Sequence, residues 1–145
     1  MAFKSIAIAA DHAGFDLKAK LVEELKSAGY AVQDLGTRDA TTSVDYPDFG
    51  KAVAEAVTSG KADAGVVVCG TGIGISIAAN RHPGVRAALC HDTTSARLSR
   101  EHNDANVLAL GARVTGEQVA KDCLHTFLST EFAGDRHARR VQKLG

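Results

Sequence analysis

The sequence has no long apolar run, no excess charge of either sign and only three cysteines. Each shortage excludes something. A membrane-spanning helix needs about 20 consecutive apolar residues, and no such run exists. The apolar stretch in "MAFKSIAIAADH" is short and closed by Asp11 and His12, so no signal peptide is expected. Lys and Arg together number 17, as do Asp and Glu. No general attraction to nucleic acid or to a membrane surface follows from that balance. Cys69, Cys90 and Cys123 are odd in number and show no CxxC spacing. That argues against a disulfide framework and a structural zinc site, and for the cytoplasm. HExxH and HxH patterns are absent, so no metal is expected.

What is present is an alternation of two periods. "SIAIAA", "YAVQDL", "AGVVVC", "VRAALC" and "NVLALG" read as five strands. "AGVVVC" is apolar throughout, as a strand buried on both faces should be. Between the strands lie helical spacings. Leu17, Leu21 and Leu25 recur with Val22 beside them, and Gly29 follows. A polar loop, "GTRDATTSVDYPDFG", leads to a helix with Pro47 in its first turn and Phe49, Val53 and Val57 on one face. Further helices carry Ile77 and Ala78, the polar run "TTSARLSREH", and Val119, Cys123 and Phe127. The segment from Asp135 to Leu144 is expected to form a C-terminal helix, partly exposed.

These β–α units predict one domain over residues 1–145. It is an α/β, doubly wound, Rossmann-like three-layer sandwich with a five-stranded parallel sheet. Such sheets bind ligands outside the carboxyl ends of their strands. Those ends are Asp11 and His12, residues 34–37, residues 69–74, His91 and Asp92, and residues 111–113. The polar helix ends in His102 and Asn103, close in sequence to the fifth strand and so expected near that edge.

Gly70, Gly72 and Gly74 permit close backbone approach, and successive N–H groups in such a loop bind oxyanions. The P-loop pattern GxxxxGK[ST] is absent. A dinucleotide GxGxxG would need glycine where Ile75 stands. A cysteine phosphatase would need arginine there, and Cys90 and Cys123 meet Ala96 and Ser129 at the same offset. A receiver domain would need aspartate in place of Cys69.

Buried cysteines are usually inert small hydrophobes, and Cys90 and Cys123 read that way. Cys69 differs, because it faces a loop of N–H donors that favour a thiolate. The same donors can stabilise an oxyanion on a substrate. A thiolate there can serve as nucleophile or as base beside a carbonyl. Among the histidines, His82 and His125 read as surface residues, and His91 has no evident partner. His12 and His102 are the better candidates for proton transfer. Arg136 and Arg140 are spaced i, i+4, which suits a phosphate clamp.

Taken together, "ADHAGFDLK", "DYPDFG", "CGTGIGISIAANR", "SREHNDANVLALGARV" and "DRHARRV" resemble type B ribose-5-phosphate isomerases, within a wider family that includes galactose-6-phosphate isomerase subunits. The resemblance covers nearly the whole chain. It implies aldose–ketose isomerisation of a phosphorylated sugar through a cis-enediolate, with no cofactor. Cys69 matches the base and His102 the residue assisting ring opening. Gly70, Thr71, Gly72, Ile73 and Gly74 match the anion hole, where Thr71 also assists hydroxyl proton transfer. Asp11, His12 and Asn103 match sugar contacts, and Arg113 matches a phosphate ligand. Arg136 and Arg140 match phosphate ligands supplied by a partner subunit, and Tyr46 and His137 match pocket-lining positions. A subgroup carries glutamate just after the glycine loop. Ile75 stands there, so this chain reads as the cysteine-base type. The expected assembly is a homo-oligomer, dimer or tetramer, with the site shared between subunits. The rival expectations are an allose- or galactose-6-phosphate isomerase and a non-catalytic sugar-phosphate-binding module.

Overall fold

Five apolar runs form strands and six segments form helices in the computed structural model, which describes residues 3–145. The chain order is β1 (Ser5–Ala10), α1 (Phe15–Ser27), β2 (Ala31–Asp34), α2 (Tyr46–Thr58), β3 (Ala64–Cys69) and α3 (Ile73–Asn80). It continues with β4 (Ala87–Leu89), α4 (Thr93–Asn103), β5 (Val107–Gly111), α5 (Glu117–Ser129) and α6 (Arg136–Gln142). All pairings are parallel, in the order β2-β1-β3-β5-β4. Among the described residues, no helix is long and apolar enough to cross a membrane.

The period-2 alternation of a strand sends successive side chains to opposite layers. Ile6, Ile8, Val66, Val68, Leu108 and Leu110 pack with Leu21 of α1, Ala96 of α4, and Leu124 and Phe127 of α5. Ala7, Ala9, Val67, Cys69 and Ala109 face the other way, onto Val53 of α2 and Ile75 of α3. These two clusters make the three-layer sandwich that the alternating pattern predicts. β3, at the centre, is buried at every position.

The edges depart from expectation. The fourth strand was expected over residues 85–90 but is only three residues long. Beside it, Asn80 acts as a substitute strand. Its Nδ2 donates to Ala87 O (3.0 Å) and its Oδ1 accepts from Ala87 N–H (2.7 Å), which blocks the open edge. Cys90 therefore falls just past the strand, though still buried. In α5, Val119 is exposed, whereas Ala120, Cys123, Leu124, Phe127 and Leu128 are buried. The helix turns about 100° per residue, and that rotation carries Val119 off the face centred on Leu124. In α3 the buried residues are Ile75, Ser76 and Ala79, while Ile77 is half-exposed.

Candidate active site

The glycine loop joins β3 to α3. Gly72 caps α3 in the left-handed region, φ 79°. A methyl group on it would sit 2.6 Å from Leu89 Cδ1 and 2.9 Å from the Leu110 carbonyl carbon. No larger residue fits, so the loop is locked against β5 and β4. Of the three glycines only Gly72 has positive φ. Gly74 is needed for space instead, because a Cβ there would meet the Tyr46 ring at 2.6 Å. Gly70 has Arg113 beside it, within 3.5 Å of where a Cβ would stand, and Arg113 N–H donates to Gly70 O (2.8 Å).

This geometry aims an amide at sulfur. Cys69, 4% exposed, accepts from Gly72 N–H at 3.1 Å through Sγ. A backbone N–H directed at sulfur stabilises negative charge there. Thr71 Oγ1 accepts from Ile73 N–H (3.2 Å) and stands exposed on the loop. Among the described residues, the other two thiols accept no such backbone N–H. Burial raises the Cys90 thiol above its ordinary value and pushes the Cys123 thiol up to about 11, so both stay protonated and inert.

At the same edge, β1 delivers Asp11 and His12. Asp11 is buried, and its Oδ1 accepts from Gly14 N–H (3.0 Å). His12 Nδ1 accepts from Val44 N–H (3.2 Å). Asp11, His12, Tyr46, residues 69–74 and Arg113 thus gather at the carboxyl ends of β1, β3 and β5.

His102 and Asn103 do not join them, which corrects the expected placement. α4 starts at the carboxyl end of β4 and runs back, antiparallel to the strands, so its last turn lies where β5 begins. Arg86 Nε, at the start of β4, donates to Asp104 O (2.8 Å). Cys69 is level with Gly111, whereas Val107 is level with Gly65. Four strand steps separate those levels, about 13 Å along the sheet. Sequence proximity to β5 was a misleading guide, because it holds for either end of the strand.

The second group is coherent in itself. His102, Asn103, His137 and Arg140 line a cleft of about 280 Å³ with Val141 and Leu144. The imidazoles of His102 and His137 stack, centroids 4.3 Å apart and planes within 14°. Burial of His137, then His102 and the Arg136 and Arg140 charges, hold its imidazole below the ordinary value of 6.5. Arg136 is exposed on the first turn of α6 and is not part of the cleft lining.

Arg100 organises this end, a part absent from the sequence reading. It is 4% exposed, yet two of its three guanidinium nitrogens are hydrogen-bonded. Nε donates to Thr130 O (3.1 Å), and Nη1 donates to Asp104 Oδ1 (2.9 Å) and Ala105 O (2.6 Å). Its guanidinium also covers the Phe3 and Phe127 rings at 4.8 and 5.8 Å. Arg100 thereby ties the end of α4, which bears His102, to the segment leading to α6. The i, i+4 pair Arg100–Asp104 was the available sequence signal.

Comparisons with known proteins agree with the fold. A family model described as Ribose/Galactose Isomerase matches residues 6–144. The chain is 46% identical over 141 residues to Escherichia coli ribose-5-phosphate isomerase B, covering 97% of this chain and 94% of that protein. The solved structure of Clostridium thermocellum ribose-5-phosphate isomerase B superposes with TM-score 0.96 at 57% identity, covering 97% and 95% of the two chains. A Thermotoga maritima ribose 5-phosphate isomerase gives TM-score 0.95 at 50% identity, covering 97% of each chain.

Proposed function

From its membership of the ribose/galactose isomerase family, to which this chain belongs, we propose that it interconverts ribose 5-phosphate and ribulose 5-phosphate. The observation that carries this reading is the Cys69 sulfur, buried at the sheet edge with Gly72 N–H directed at it. That is a place to move a proton on a substrate whose oxyanion the neighbouring amides can hold.

The steps follow from the groups. His102 assists opening of the furanose by proton transfer at the ring oxygen. Cys69, as thiolate, takes the proton from C2 of the open aldose, and the C–H electrons form the C1–C2 double bond as O1 becomes an oxyanion. Amides of residues 70–74 stabilise that enediolate. Thr71 passes the hydroxyl proton from O2 to O1. The Cys69 proton is then delivered to C1, which leaves a carbonyl at C2 and regenerates the thiolate. Asp11, His12 and Asn103 hold sugar hydroxyls, Tyr46 and His137 line the pocket, and Arg113, Arg136 and Arg140 bind the phosphate. The whole of residues 1–145 serves as one isomerase domain.

The split between the two sheet ends supports a homodimer with composite sites. In that assembly Cys69 of one protomer works with His102 of the partner subunit, and the phosphate reaches Arg136 and Arg140 of the partner subunit. Exposed apolar side chains on both surfaces favour such contact. Ile73, Ile77 and Val114 surround the glycine loop, and Leu144 borders the His102 cleft. Three free cysteines suit a cytoplasmic enzyme.

The family description also names galactose, so six-carbon sugar phosphates are the second reading. Purified protein given ribose 5-phosphate, allose 6-phosphate and galactose 6-phosphate separates the two. Turnover of ribose 5-phosphate with the highest kcat/KM is expected. Turnover of a hexose phosphate alone overturns the pentose assignment, and turnover of none overturns the enzymatic one.

A further inference from the structure

The hydrogen bond from Val44 N–H to His12 Nδ1 (3.2 Å) joins two segments 32 residues apart. The geometry points to His12 as a positioning residue fixed in the Nε2–H tautomer, with Nδ1 pinning residues 37–45 and Nε2–H left as a donor for substrate.

A backbone N–H can only donate, so Nδ1 must offer its lone pair. A neutral imidazole has one ring N–H, which therefore lies on Nε2. Second-ring-nitrogen bonds commonly decide a histidine's tautomer, and here the deciding group is a backbone amide rather than a carboxylate. The neighbouring Asp11 is otherwise engaged, since its Oδ1 accepts from Gly14 N–H. Among the described residues His12 Nε2 has no hydrogen-bond partner. It is not sealed from solvent either, because Thr115 Oγ1 is the buried unpartnered side-chain atom among them. The nitrogen is free for a ligand at the end of β1, the strand beside β3 and Cys69.

The same bond controls a loop. Residues 37–45 have no regular secondary structure. The loop is fixed at its start, where Thr37 N–H donates to Ala10 O (2.8 Å) and Thr37 O accepts from buried Lys18 (2.9 Å). Lys18 is itself paired with Asp34 at 2.7 Å. At the loop's far end the tie to the rest of the molecule is Val44 to His12. Two residues later Tyr46 opens α2 with its ring against Gly74. The anchor thus lies two residues before Tyr46, whose ring meets the glycine loop at Gly74.

The substrate-donor half of this inference rests on the isomerase reading, whereas the tautomer and the loop anchor do not. Long-range ¹H–¹⁵N correlation spectra of the ligand-free protein report the tautomer directly. Protonated Nε2 with bare Nδ1 is expected, and protonated Nδ1 or fast averaging of tautomers overturns the inference. Two variants then separate the two nitrogens. His12→Asn supplies an acceptor near Nδ1 but no donor near Nε2. His12→Gln supplies an amide donor near Nε2 but no acceptor near Nδ1. Val44 amide exchange should stay slow in His12→Asn and accelerate on the order of tenfold or more in His12→Gln, as expected for loss of one hydrogen bond. Unchanged Val44 exchange in His12→Gln contradicts the anchor. On ribose 5-phosphate, His12→Asn should lose on the order of tenfold in kcat/KM, and an unchanged value contradicts the donor role. If no sugar phosphate is turned over while the spectra show Nε2–H, only the isomerase reading falls.

Discussion

At the carboxyl end of the sheet a loop of backbone amides is set against a reactive side chain, whereas the amino end presents side chains alone. Cys69 meets an amide presented by a loop that Gly72 can form and larger residues cannot. The loop is continuous with β3, every residue of which is buried. His102, Asn103, His137 and Arg140 instead sit on the last turn of α4 and on α6, a helix of seven residues with His137 as its buried member. The difference matches the two proposed tasks. An oxyanion hole gains from donors that need not reorganise during the reaction. A phosphate clamp needs charge and reach, which arginines on an exposed helix supply. It also predicts different failures: damage to the first region abolishes proton transfer, whereas damage to the second weakens ring opening and binding.

Four substitutions sharpen the contrast, in decreasing order of effect. Cys69→Ala should lower kcat by about 10³-fold, within the range for a positioned base, with substrate affinity little changed. Loss of proton exchange at C2 in D₂O is the check, and persistent exchange would remove Cys69 from the mechanism. His102→Ala should lower kcat/KM for ribose 5-phosphate by roughly 10²-fold. The loss should be smaller on a substrate too short to form a ring, and equal losses would count against a ring-opening role. Arg140→Ala should raise KM by on the order of tenfold or more, as for a lost charged hydrogen bond, and change kcat less. A pure kcat defect would contradict phosphate binding.

The smallest effect concerns stability. The folded His137 imidazole is held below its ordinary value of 6.5 by burial and neighbouring cations. Below the ordinary value the unfolded chain then binds the extra proton, so stability falls as pH falls through 6.5 toward the folded value. His137→Phe keeps an aromatic partner for His102 and removes that proton. Its melting temperature should fall less than the wild type's between pH 7 and 5. Parallel curves would show that His137 titrates alike in both states.

Much of the first region was legible because local chemistry dictates it. An all-apolar run ending in cysteine and alternating glycines reads directly as a buried strand entering an anion loop. The second region was legible as residue types but not as a place. His102 is five residues before β5 in sequence, and only the antiparallel return of α4 puts it at the opposite edge from Cys69. Val44 was invisible for another reason, since its contribution is an amide that any residue but proline carries. Val119 misled because an i, i+4 series drifts across a helical face, and tertiary packing against Leu124 and Phe127 decides which members are covered. Arg100 was hidden by charge, because burial of a guanidinium depends on carbonyls at Ala105 and Thr130 that the fold brings to it.

In the proposed assembly each active site combines the two regions from two different protomers. Mixing the Cys69→Ala and His102→Ala proteins under conditions that exchange subunits tests it. In a mixed dimer one site receives both substitutions and the other receives neither. Half of randomly paired dimers are mixed, so activity should return to about one quarter of the wild-type value for a two-fold symmetric assembly. If Cys69 and His102 instead serve within one chain, every site carries a defect and mixing restores nothing.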